Sequence, residues 1–203
     1  VLTYAIHDVT PYINWIYFFH AWGFQPRFAT IADIHGCDAC RASWLTTFSE
    51  EDRAKAAEAM QLLKEANRML NQLDETYHVH TIFRLCKANA DGGNLLLDGT
   101  RFPLLRQQIP HPDGSPFLCL SDFVRPLASG TPDTVGIFAA SCDGEVELLY
   151  EEDPYKRMLV QTLADRLAEA ATEKMHEYVR KVAWGYAKDE NLSIPELLKE
   201  KFQ

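Results

Sequence analysis

The chain has 203 residues, 47% of them hydrophobic, which allows one large domain or two small ones with a sizeable core. Twenty Lys and Arg against 29 Asp and Glu give a net charge of −9 and a pI near 5.2. Such a surface repels phosphate backbones and anionic lipid, so it argues against nucleic-acid and membrane-surface partners and leaves cationic ligands open. No run approaches the ~18 apolar residues of a membrane span. The first residues lack the basic and apolar regions of a secretory signal. The chain opens on Val1 rather than Met, which leads us to expect a fragment of a longer polypeptide. Its five scattered cysteines (Cys37, Cys40, Cys86, Cys119 and Cys142) fit reduced thiols in a cytoplasmic protein better than a disulfide framework.

Thr10-Pro11 opens the first predicted helix, with Thr as N-cap and Pro in the first turn. Ile13, Ile16, Tyr17 and His20 share a face, and Trp15, Phe18, Phe19 and Trp22 make the helix apolar all round, which predicts a buried helix ending at Gly23. Ser49-Glu-Glu-Asp52 is a near capping box for a second helix running to about Leu73, with Ala56, Met60, Leu63, Asn67 and Leu70 in the 3.6-residue period. The middle reads as strands. Residues 79–86 alternate, residues 90–93 form a Gly-Gly turn, and residues 94–98 pair back. Residues 102–108 are helical or irregular, and Pro110, Pro112, Gly114 and Pro116 mark a loop. Residues 117–124 predict a strand. Residues 134–141 predict a buried one from their continuous apolar run. Asp153-Pro154 starts a long helix to about Tyr186, striped by Leu159, Leu163, Leu167, Ala171, Met175 and Tyr178. Ser193-x-x-Glu196 boxes a short final helix. Helices at both ends of a strand-rich middle make this an α+β chain with mainly antiparallel pairing.

Few residues carry chemistry by pattern alone. Glu169 borders the apolar stripe of the last long helix, where a carboxylate either holds a cation in a cleft or pairs with Arg166 or Lys174. Asn14 lies among aromatics and needs a hydrogen-bond partner if buried, whether backbone, water or ligand. His35-Gly-Cys37-Asp-Ala-Cys40 offers two thiols and an imidazole to a soft metal or a redox pair. A closed zinc site needs four ligands, and no second Cys-x-x-Cys or His-x3-His is present. His78 and His80 would share one strand face without a third ligand. Asp122 and Asp133 have no nucleophile or base beside them, and no phosphate-binding or nucleophile-elbow motif appears.

Longer segments carry a resemblance. Tyr12-Ile-Asn14-Trp15 with Phe18-Phe19-x-x-Trp22, Lys64-Glu-Ala-Asn67-x-Met69-Leu70, Leu120-Ser-Asp122-Phe123-Val124-x-Pro126 and Gly136-Ile-Phe138-Ala139 occur in order. The stretch from Ala164 to Leu192 follows, with Trp184-Gly185-Tyr186 and Glu190-Asn191-Leu192 inside it. Together they resemble the S-adenosylmethionine-binding reactivation domain of cobalamin-dependent methionine synthase over nearly the whole chain. The resemblance implies a C-shaped α+β domain, a twisted antiparallel sheet flanked by long helices, spanning residues 1–203. It implies S-adenosylmethionine as ligand and cobalamin held by a neighbouring module. It also implies a flavodoxin-type electron donor, and a role in the reductive methylation of cob(II)alamin within a methyltransferase that makes methionine. Glu169 matches the family's ligand-contacting glutamate, and Asn14 stands where its ligand-contacting aspartate is expected. The family's Arg-Pro-x-x-Gly-Tyr-Pro loop is not among these residues. We therefore expect residues 1–203 alone to bind S-adenosylmethionine weakly and not to be catalytically competent. Two alternatives remain open at this level: a docking module of the same fold without ligand affinity, and a metal protein built on His35, Cys37 and Cys40.

Overall fold

The computed structural model describes residues 1–202. In chain order it contains β1 (Leu2–Ala5), α1 (Ile6–Val9), α2 (Trp15–Ala21), α3 (Pro26–Ala29), α4 (Asp38–Thr46), α5 (Glu50–Asp74), β2 (His78–Asp91), β3 (Asn94–Leu97), β4 (Thr100–Pro103), β5 (Asp133–Cys142), α6 (Pro154–Tyr178) and α7 (Ile194–Leu197). This is the mixed α+β class with antiparallel pairing. The chain divides into two units, Val1–Ile82 with Ala140–Gln203 and Phe83–Ala139.

In the first unit the cap signals of the two long helices hold, whereas Thr10, the predicted cap of the first helix, instead donates its hydroxyl to the Ile6 carbonyl. Ser49 Oγ accepts the N–H of Asp52, and Asp153 Oδ1 accepts that of Lys156, so the two 25-residue helices start where their sequences dictate. Leu159, Leu163, Leu167, Ala171 and Met175 are buried as the stripe predicts, while Tyr178 stays exposed. On α5 the buried face is Ala56, Ala59, Leu62, Ala66, Met69, Leu70 and Leu73. Met60 and Leu63 lie at its edge. Helices α1, α2 and α5 pack on α6 around Ile6, Phe18, Phe19 and Leu163. Burying such side chains contributes roughly 1.5–3 kcal/mol each. Strand β1 pairs antiparallel with the start of β2, Leu2 opposite Thr81 and Ala5 opposite His78.

The first predicted helix is divided. Thr10–Tyr12 is a 3-10 turn, Ile13 is extended, and α2 begins only at Trp15. Nor is α2 buried all round. Phe18 and Phe19 are buried, whereas Ile16 and Tyr17 are exposed. Seven residues present one inward face, Trp15 packs partly against the core, and Ile16, Tyr17 and His20 on the other side meet solvent. The last long helix also stops earlier than its pattern suggests. Val179–Ala183 is a π turn, closed by Trp184 N–H donating to the Val179 carbonyl, and Gly185 at φ 76° turns the chain away. The Ser193–Glu196 capping box forms as predicted.

In the second unit β2, β3 and β4 form an antiparallel meander. Asp91 faces Asn94 across the two-residue Gly92-Gly93 turn, and Gly92 at φ 58° supplies the left-handed backbone that such a turn requires. Cys86, Ala88, Leu95 and Leu97 are its buried core. Residues 102–108 begin as the end of β4 and continue irregularly. Residues 117–124 are not a strand. The only regular piece is a 3-10 turn, Leu120–Phe123. Asp122 accepts the Cys119 N–H and holds the Arg106 guanidinium, which also donates to the Phe117 carbonyl. Local side-chain bonds thus take the backbone groups that a ladder would need. Residues 134–141 do form a strand, but β5 pairs only with β2, and Ile137 and Phe138 are exposed. A continuous apolar run here marks an edge strand rather than a buried one.

Candidate functional site

The first segment of the chain is fastened to the C-terminal half of α6. Tyr12 Oη donates to Glu177 at 2.9 Å, and Lys174 Nζ donates to the Asp8 carbonyl at 3.2 Å. The Lys174 ammonium also lies over the Tyr12 and Tyr4 rings, 5.3 and 5.8 Å from their centroids. Burial, with the Glu177 carboxylate beside it, pushes the Tyr12 phenol up to about 12.

Asn14 follows directly. It is the N-cap of α2, and its Oδ1 accepts the Ile16 N–H at 3.1 Å. Of the partners left open by the sequence, backbone is the one observed. Among the described residues its Nδ2 has no acceptor. Glu169 lies on the exposed side of α6 and pairs with Arg166 at 2.9 Å. Lys174, the other candidate partner, is engaged by Asp8 and the two tyrosines. Asn14 and Glu169 are therefore each satisfied by a near neighbour in the chain.

Two further carboxylates gather near Glu169. Glu173 is one helical turn on, so the two share a face. Its carboxyl is pushed up by burial, opposed by Arg180, and pushed further by the charges of Glu200 and Glu169. Glu200, at φ 54°, closes the segment after α7. The i, i+4 spacing of Glu169 and Glu173 was legible in the sequence, but no spacing signal joins Glu200 to them. Glu169 and Glu200 therefore both lie within electrostatic reach of the half-buried Glu173, while Arg166 already pairs with Glu169.

Arg180, whose charge acts on Glu173, is fully buried. Glu190 receives it with two teeth, at 2.6 Å from Nη2 and 3.0 Å from Nε, and those bonds lower its carboxyl from the usual carboxylate range. Phe202 covers the pair, its ring centroid 4.2 Å from the guanidinium carbon and 4.8 Å from the His176 ring. This arrangement binds the C-terminal segment to the π turn.

Elsewhere the structure brings His35, Cys37 and Cys40 together, their ligand atoms all within 4.8 Å of one another. Cys37 caps α4, its sulfur accepting the Cys40 N–H at 3.2 Å and lying 2.7 Å from the Cys40 sulfur. Hydrogen bonds from Cys40 and His35 lower the Cys37 thiol to about 7. His80 is held by Asp143 at 2.6 Å and faces Thr3 at 3.1 Å, and His78 lies at the edge of the same carboxylate. Asp133 accepts the Arg125 N–H. These histidines and Asp122 and Asp133 are therefore structural.

The fold that carries these groups is a mixed α+β one, an antiparallel sheet with long helices. Residues 5–203 match the family described as "Vitamin B12 dependent methionine synthase, activation domain", and the chain belongs to that family. Among solved structures it is similar to one described as "Crystal Structure of the MetH Reactivation Domain bound to AdoHcy". That likeness has 33% identity and a TM-score of 0.77, over 100% of this chain and 61% of the other. The chain thus spans about three-fifths of that relative's length. No helix among the described residues is long and apolar enough to cross a membrane.

Proposed function

We propose that this chain is the S-adenosylmethionine-binding part of a methionine synthase reactivation module. It would act in the cytoplasm to support the reductive methylation of cob(II)alamin. The observation that carries this reading is the carboxylate face of Glu169, Glu173 and Glu200, within a family whose solved relative is bound to AdoHcy. S-adenosylmethionine bears a sulfonium and an ammonium, and a face of three carboxylates fits both. Glu169 would exchange its Arg166 partner for the ligand's cationic groups, and Asn14 Oδ1, which already accepts the Ile16 N–H, would be a second and weaker acceptor for the ligand's ammonium. Cobalamin, held by a neighbouring module, supplies the methyl-accepting metal chemistry, and a flavodoxin-type protein the electron. This chain positions the methyl donor.

The test is an NMR titration of the 203-residue chain with S-adenosylmethionine, a method that detects millimolar binding (about −4 kcal/mol). Shifts should cluster at Asn14, Glu169, Glu173 and Glu200 and vanish in Glu169→Gln. Absence of shifts at saturating ligand, or shifts elsewhere that survive Glu169→Gln, would leave a docking module of the same fold.

A further inference from the structure

The cluster ahead of α4 shares no residue with the carboxylate face. Within six residues of chain it gathers one imidazole nitrogen and two sulfurs, all within 4.8 Å of one another. The thiols are free rather than disulfide-bonded. Beside them opens a surface cavity of about 510 Å³, to which Asp33, His35 and Cys40 contribute.

We propose that His35, Cys37 and Cys40 bind a soft divalent cation of the zinc type, with the fourth coordination position open on the cavity side to water or an external ligand. The donor set is the first argument. Two thiolates and a neutral imidazole suit zinc-like ions and disfavour magnesium and calcium, which take oxygen ligands. Two thiolates also neutralise a divalent charge. Geometry is the second. A tetrahedral ion with Zn–S near 2.3 Å and Zn–N near 2.0 Å sets its donors about 3.5–3.8 Å apart. The present atoms bracket that range. The sulfurs, at 2.7 Å, need to part by about 1 Å, which a side-chain rotation provides, and the exposed His35 ring needs only to swing inward. The third argument is support from the backbone. The Cys37 sulfur already accepts the Cys40 N–H at 3.2 Å, a bond that orients it and stabilises it as a thiolate ligand.

The test uses the 203-residue chain, reduced and stripped with a chelator, then titrated with Co2+ and with Zn2+. We expect one ion per chain. Cobalt should show a thiolate charge-transfer band and the intense visible bands of tetrahedral coordination. Zinc should withstand competition from a micromolar chromophoric chelator. Cys37→Ser and Cys40→Ser should each lower the charge-transfer band by about half and weaken binding, and the double variant should abolish the band. His35→Gln should weaken binding at least about tenfold, or 1.4 kcal/mol. Serine is itself a good N-cap, so Cys37→Ser keeps α4, and circular dichroism verifies it. Absence of the band in the reduced chain would overturn the proposal, as would binding unchanged in both serine variants. So would a chain that oxidised glutathione converts to a Cys37–Cys40 disulfide while the reduced form holds no ion. In that case the pair is a redox couple. None of these outcomes depends on whether the chain binds S-adenosylmethionine.

Discussion

Replacing Glu190 by Ala should be among the most damaging single changes in the protein. Arg180 has no exposed surface, and Glu190 supplies its only anionic partner among the hydrogen bonds of the described residues, through contacts of 2.6, 3.0 and 3.2 Å. The Nη1 nitrogen is already buried without a partner, so the site has no reserve. Removing the carboxylate leaves a buried guanidinium uncompensated, which costs about 3–5 kcal/mol. At 2–4 °C per kcal/mol for a chain of this size, melting should fall by roughly 6–20 °C. Changing both partners to apolar residues, Arg180→Met with Glu190→Leu, removes the charge that needs compensation and should recover most of that loss. The bond to Arg180 depresses the Glu190 carboxyl. Its contribution is therefore fully present above the ordinary Glu range near 4.3 and is lost as pH falls below it. The gap between wild type and Glu190→Ala should narrow at acid pH. Calorimetric melting of the three proteins at neutral and acid pH decides the matter. A single variant melting within about 2 °C of wild type, a shift worth at most ~1 kcal/mol, would refute the reasoning. So would a double variant as unstable as the single.

Two further outcomes are expected. Asn14→Asp keeps the cap of α2, since Asp and Asn cap equally well, and adds a charge facing a cationic ligand. S-adenosylmethionine binding should tighten about tenfold in the NMR titration, and no tightening would remove Asn14 from the ligand site. The paired bond to Arg106 holds Asp122 down at about 2. The turn it anchors should therefore stay intact below the ordinary Asp range near 3.9 and be released only as pH approaches 2. The Cys119 amide resonance reports this, and a titration midpoint near 3.9 would show that the pair does not persist in solution.

The parts of the fold that were legible in the sequence are those fixed within one turn of chain. Ser49, Asp153 and Ser193 cap helices because each needs only a backbone N–H two or three residues on. Gly92-Gly93 makes its hairpin because only glycine takes that backbone readily. What was not legible depends on competition between distant groups. Asp122 removes residues 117–124 from strand pairing through an arginine sixteen residues earlier. The exposure of Phe138 follows from which strands border β5, and no local pattern records that. At the candidate site, Glu169 was visible as the edge of a stripe. Asn14 was misplaced inside a helix, because the break at Ile13 leaves no breaker residue to mark it. No local pattern joins Glu200 to Glu169 and Glu173, because it lies on a different segment, after α7.

The wide turn at Val179–Ala183 carries one more residue than an α-turn would. Each added residue advances a helix by about 100° of rotation, so this surplus residue sets the angular phase of all that follows. Excising one amino acid there would restore a regular helix and swing Trp184, Tyr186 and the approach of Glu190 by more than a quarter of a circle. The segment should therefore accept changes of side chain far more readily than any change in its count of residues.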